Sequence, residues 1–233
     1  MKLVFFPSLF FLSHSFALLG GFPLKPMSAL YKATVGIEIH HVDQSEPTYC
    51  TGVLVAPTTV LTAASCLDNE INLNVVVGFG SAPQTMIKSG NKNYTRTSHS
   101  GARVDVAVVY LDSPAPSWTK PLLIVKPQSR MTYLQITALT AGMNLSAKMA
   151  LKRADFSVLE MNPDENLFVV QKHHDHTFYH GDAGSAAIVM VNGLPQVLGI
   201  LTDDSVIGDK ESGGDFVNLN NPTLNAWVVS HLK

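Results

Sequence analysis

Apolar and polar residues alternate with a period of two in one stretch near the start of this chain. Val35, Ile37 and Ile39 are separated by Gly36, Glu38 and His40, the mark of a half-buried strand. Apolar runs closed by turn residues follow: Val53 to Ala56 before Pro57, Val60-Leu61, Ile71 to Val77 before Gly78-Phe79-Gly80, and Val104 to Leu111. The polar stretch from Ser89 to Arg103 reads as a loop, and the breakers from Ser113 to Pro121 mark a crossing between two halves. Beyond it, strands are predicted over Leu122–Val125, Thr132–Leu139, Leu151–Leu159 and Leu167–Gln171, then around Ile188–Val191 and Val197–Leu201. Helical spacing shows clearly only at the end. Leu224, Trp227, Val228 and Leu232 recur on one face, Asn221 can cap the helix, Pro222 suits its first turn, and Trp227 is assigned to the core.

The first residues follow another pattern. Lys2, the apolar run Leu3–Leu12 and the small-x-small triplet Ser15-Phe16-Ala17 read as a secretory signal peptide over residues 1–17. Cleavage after Ala17 leaves Leu18-Leu19-Gly20-Gly21 as the new start; cleavage after Gly20 is the alternative. No later stretch is long and apolar enough to be a membrane helix. In an oxidising compartment Cys50 and Cys66 are expected to pair, two free buried thiols being the alternative. Asn93-Tyr94-Thr95 and Asn144-Leu145-Ser146 are glycosylation acceptor patterns, expected on exposed loops. With 16 Lys+Arg against 18 Asp+Glu, nothing points to nucleic acid or an anionic membrane. The 233 residues suffice for one all-β domain with a sizeable core.

Candidate chemistry gathers at His180-Gly181-Asp182-Ala183-Gly184-Ser185-Ala186. This resembles the Gly-Asp-Ser-Gly-Gly-Pro nucleophile turn of trypsin-like serine proteases. Cys50-Thr51-Gly52-Val53-Leu54-Val55 and Val60-Leu61-Thr62-Ala63-Ala64-Ser65-Cys66 resemble that family's Cys-Gly-Gly-x-Leu-Ile and Val-Leu-Thr-Ala-Ala-His-Cys. Val104-Asp105-Val106-Ala107-Val108 resembles its Asp-Ile-Ala-Leu-Leu. The resemblance runs from Leu18 to Lys233 and implies two Greek-key antiparallel β-barrels, about 31–112 and about 122–219, then a helix at about 222–232. It also implies a disulfide between Cys50 and Cys66, and an ion pair between a new α-amino group at Leu18 and Asp182. Signal peptidase would then supply that terminus with no propeptide stage.

The departures matter more than the matches. Ala183 stands where the resemblance implies the nucleophile, and a methyl group cannot attack a carbonyl. Ser65 stands where it implies the general base, and a hydroxyl cannot shuttle protons near neutral pH. Only Asp105 is retained, and it is expected to serve as a carboxylate held by backbone amides and Ser65. Ser185 is displaced from the attacking position and has no matching histidine. Oxyanion-hole donors would be the N–H groups of Gly181 and Ala183. The pocket-base position is Thr177, and Thr202-Asp203-Asp204 replaces the substrate-pairing Ser-Trp-Gly, an edge that would favour basic partners. Lys172-His173-His174-Asp175-His176 invites a metal reading, but its spacing fits no fixed pattern and a solvated loop is expected, with no metal and no cofactor. The expected function is that of a secreted, non-catalytic protease homologue, a monomer that binds an extracellular protein. Its overall plan is similar to the oomycete glucanase inhibitors, which occupy host hydrolases. An immune cofactor or adhesive module fits the same residues, and an active endopeptidase with a rearranged site is the enzymatic alternative.

Overall fold

Buried alternating positions set the register of the first sheet. In a computed structural model of the chain, Val35, Ile37 and Ile39 are fully buried and sit opposite Gly52, Cys50 and Thr48 of the neighbouring strand. The structure describes residues 18–40, 47–67, 74–80, 85–89, 94–99, 102–128, 134–144, 148–179, 181–202 and 212–232. The first part comprises β1 (Phe22–Pro23), α1 (Ala29–Ala33), β2 (Thr34–His40), β3 (Thr48–Ala56), β4 (Thr59–Thr62), β5 (Asn74–Phe79), β6 (Thr85–Ser89), β7 (Tyr94–His99) and β8 (Ala102–Tyr110). The second comprises β9 (Leu123–Ile124), β10 (Gln135–Asn144), β11 (Lys148–Met161), β12 (Leu167–Gln171), β13 (Ala186–Val191), β14 (Leu194–Leu201), β15 (Ser212–Asn218) and α2 (Pro222–Ser230).

Strands β6-β5-β2-β3-β4-β8-β7 form one sheet. In the other, β11-β10-β13-β14-β15-β12 closes on itself because β12 also pairs with β11, giving a six-stranded barrel. The fold is therefore mostly β with a C-terminal helix, consistent with the double-barrel arrangement that the motifs imply. Two apolar clusters each draw on both sheets, so the halves share a core. Within the barrel Phe168 stacks on Phe216 at 5.3 Å and Phe156 on Phe178 at 4.8 Å, between ring centroids.

Three local expectations change. The stretch Ser89–Arg103 is not simply a loop, because β7 and β8 form an antiparallel hairpin across it. Among the described residues β7 is the outermost strand of its path and pairs on one side only, and an edge strand needs no apolar alternation. The start of the implied first barrel at about residue 31 is helical: Tyr31 lies in α1, capped by Ser28 Oγ accepting from Tyr31 N–H at 3.2 Å. Trp227 joins the core only at its margin: it is partly buried, packs against the second apolar cluster and meets His231 at 4.6 Å. The terminal helix forms as expected, with Asn221 Oδ1 accepting from the N–H groups of Thr223 and Leu224.

Candidate functional site

The turn at 181–185 is held by contacts that only particular residues allow. Gly184 has φ of +85°, and a Cβ there would lie 2.1 Å from Thr51 O and 2.3 Å from Thr62 Oγ1. Glycine is required for both reasons. The N–H groups of Asp182 and Ser185 donate to Tyr179 O and Asp182 O, and that of Gly184 to Leu201 O. Among the described residues, those of Gly181 and Ala183 make no such bond.

Thr51 ties this turn to both sheets. Its N–H donates to Ala183 O at 2.9 Å, and its hydroxyl donates to Gly181 O at 2.9 Å while accepting from Ala141 N–H at 3.0 Å. It is completely buried. Thr51 was not singled out from the sequence; its one signal was that a hydroxyl-bearing residue stood where the resembling pattern has glycine.

The 3-10 turn Ser65–Leu67 follows β4 and faces β8. Ser65 N–H donates to Asp105 Oδ1 at 2.7 Å, and Ser65 Oγ donates to Oδ2 at 3.0 Å. Both carboxylate oxygens of Asp105 thus engage one serine. Cys66 pairs with Cys50 in a disulfide, and its Sγ lies 3.8 Å from Ala183 O. The Ser65–Asp105 pair and Ala183 therefore belong to one locality. Chemically it holds a carboxylate, a hydroxyl and a methyl group, with Ala183 almost fully buried. Ser185 is fully buried and its Oγ has no hydrogen-bond partner among the described residues, so it points into the interior rather than at a substrate.

Asp182 is fully buried behind this turn. Its Oδ2 accepts from Leu18 N–H at 2.7 Å and from Tyr179 N–H at 2.8 Å. Burial pushes its pKa up to about 7; the two backbone bonds, the Lys152 charge and the Thr140 hydroxyl each pull the other way. Among the described residues, neither Asp182 Oδ1 nor Thr140 Oγ1 completes a hydrogen bond of ordinary geometry. Leu18 is fully buried, and Lys152 Nζ donates to its carbonyl at 3.3 Å. Lys152 and Tyr179 were also missed from sequence, where nothing marks them.

Thr177 fixes the segment leading to Asp182. It exchanges two backbone hydrogen bonds with Leu19, at 3.0 and 3.2 Å, and is itself exposed. Thr202 is buried and its N–H donates to Asp215 O at 3.0 Å. Asp203, Asp204 and Asn93 lie outside the described residues. Asn144 ends β10, opposite Lys148 at the head of its hairpin. Among the described residues, no helix is long and apolar enough to cross a membrane.

Comparison with known proteins agrees with this fold. The scabies mite inactivated protease paralogue S-D1 superposes with a TM-score of 0.66 at 17% identity, over 92% of this chain and 99% of the mite protein. The scabies mite paralogue S-I1, also described as inactivated, gives 0.68 at 16% identity, over 88% and 97%. At such identities the likeness concerns the fold. No curated protein sequence matches this chain. The family model described as Trypsin matches residues 20–228, and with the barrel, the Gly184 turn and the buried Asp182 in place, the chain belongs to the trypsin family.

Proposed function

We propose that this member of the trypsin family is a secreted, non-catalytic protease homologue that works by binding another protein. The observation that carries the reading is the local chemistry at the triad-equivalent positions. Ala183 offers no nucleophile, and Ser65 uses its N–H and its hydroxyl to hold Asp105 where a base would stand. Loss of nucleophile or base alone costs on the order of 10⁶-fold in kcat in a subtilisin-type site, about as much as losing all three. Ala183→Ser alone is therefore expected to remain inactive on peptide substrates, and only Ala183→Ser with Ser65→His to show turnover. Hydrolysis by the single variant would refute the argument. The inactivated character of the two mite proteins is in keeping with this reading.

The partner we propose is an extracellular hydrolase, with a host glucanase as the first to test. The support is the overall plan: a signal-like leader, a disulfide-bonded trypsin fold and a site without a nucleophile. Titrating the purified chain into an endoglucanase assay is expected to yield a stable complex and a matching fall in glucan hydrolysis. Full hydrolysis at saturating chain, with no complex by gel filtration, would overturn the inhibitor reading in favour of an immune cofactor or adhesive module.

A further inference from the structure

We propose that the loop preceding the 181–185 turn is a pH-sensitive clasp on residues 18–20, released when its stacked imidazoles, His173 above all, gain protons. The clasp itself is backbone. Leu19 N–H donates to Thr177 O at 3.0 Å, and Thr177 N–H donates to Leu19 O at 3.2 Å. A Cβ on Gly20 would meet Asp175 O at 1.7 Å, so the two backbones are in direct contact there as well. The clasped segment begins with Leu18, whose N–H donates to Asp182 Oδ2, and the loop therefore bears on the 181–185 turn.

Three rings hold the loop in that position. His173 stacks on His174 at 4.7 Å and on His176 at 4.5 Å between centroids, with ring planes 19° and 14° apart. His176 is anchored edge-on against Phe22 at 5.7 Å and Phe156 at 6.3 Å. His173 Nδ1 accepts from Asp175 N–H at 3.1 Å. That bond needs the Nδ1 lone pair, so it exists only with the ring neutral and its proton on Nε2. His174 Nε2 lies 2.8 Å from Asp175 Oδ2, an ion pair once that ring is protonated. His176 Nδ1 is buried with no partner among the described residues, so a proton placed on it finds no acceptor.

Acidification works against these contacts. Imidazoles change charge between about pH 8 and about pH 5. A proton on His173 Nδ1 turns the acceptor into a donor that faces Asp175 N–H. It also sets a cation one ring spacing from His174, where like charges repel. The elements packed on the stack bring Gly20, Phe22 and Phe156, which carry no charge. Arg153 lies opposite Phe22 in the β1–β11 pairing, and Lys172 heads the loop; lysine and arginine keep their charge across this range. Asp155 of β11 accepts from the Thr137 hydroxyl, and Asp175 is already engaged by His174. The Asp175 N–H bond is thus present with His173 neutral and is lost as pH falls through the histidine range.

Amide hydrogen exchange of the whole chain, followed from about pH 7.5 to about pH 5 and corrected for the intrinsic rate, tests the proposal. The expected result is a loss of protection of about fivefold or more at the Leu19 and Thr177 amides on acidification. His173→Phe keeps a flat ring in the stack but has no nitrogen to protonate, and should lose that response. Asp182, whose pKa is pushed up to about 7, is the same in both proteins, so its own proton cancels in the comparison. His174→Gln removes the neighbouring cation and should move the loss of protection to higher pH. A melting curve at about pH 7.5 verifies the fold of each variant. Equal protection across the range in the parent, a loss that persists in His173→Phe, or an unmoved midpoint in His174→Gln would overturn the proposal.

Discussion

The sharpest consequence of the structure concerns what precedes Leu18. The Leu18 nitrogen donates to Oδ2 of the fully buried Asp182 at 2.7 Å, and as a peptide amide it brings no charge. The carboxyl is then pushed from 3.8 up to about 7, chiefly by burial. The folded state accordingly holds a proton that the unfolded chain has released between about pH 4 and pH 7. For a chain extended before Leu18, this contribution to stability is greatest below about pH 4 and is lost as pH rises to about 7. About three pKa units at 1.36 kcal/mol each put the loss at about 4 kcal/mol, an order-of-magnitude figure for a fully buried group. A chain beginning at Leu18 places an ammonium at the same point, which lowers the carboxyl pKa and removes that loss. Its own decline comes instead as the α-amino group deprotonates, near pH 8 for an unperturbed amine and higher when paired. Asp182→Asn should act with opposite signs in the two chains. It relieves a buried charge in the extended chain at pH 7, and it orphans the ammonium in the Leu18 chain at a cost of about 3–5 kcal/mol. Urea unfolding of both chains and both variants from pH 4 to pH 9 measures all of this. Parallel pH curves for the two chains, or the same sign for Asp182→Asn in both, would refute the ion-pair reasoning. N-terminal sequencing of the secreted protein supplies the matching check: the expected start is Leu18, and Gly21 would remove the pair altogether.

Other substitutions probe the turn itself. Thr51→Val keeps the shape but strips the hydroxyl from Gly181 O and Ala141 N–H, and should cost about 1–3 kcal/mol by urea unfolding. Ser185→Ala removes a buried, unpaired hydroxyl and should be neutral or stabilising by about 1 kcal/mol; a clear loss would show a partner for that oxygen. For the same reason a fluorophosphonate probe should leave Ser185 unmodified, as read by intact mass and peptide mapping.

What was legible in the sequence was what depends on residue type alone. Alternation located β2, the cap and proline located α2, and the separated motifs implied the fold that the barrel and the family match support. Polar edge strands such as β7 were not legible, because a strand paired on one side needs no apolar face. The site was legible at Asp182, Ser65 and Asp105, where short motifs carry the positions. It was not legible at Thr51 or Lys152, whose roles come from contacts 130 and 134 positions away in the chain. The imidazole cluster was visible as composition, but its stacking exists only in three dimensions.

Asp105 raises the last question, what its carboxylate does for the turn at Ser65. Its two oxygens accept from Ser65 N–H and Ser65 Oγ, and the first of these donors is a backbone group in a 3-10 turn, between buried Ala64 and Cys66. Removing the acceptor leaves that N–H without its partner beside the Cys50–Cys66 disulfide. Asp105→Ala should therefore cost about 1–3 kcal/mol of folding stability. Asp105→Asn, which keeps one acceptor oxygen for the backbone N–H, should cost less. Hydrogen exchange gives a local reading, with the Ser65 amide exchanging faster in Asp105→Ala and nearly as slowly as the parent in Asp105→Asn. Equal stability and equal exchange in all three proteins would mean that the carboxylate does not hold the turn. The expected loss would instead show a carboxylate kept in place by the backbone it satisfies.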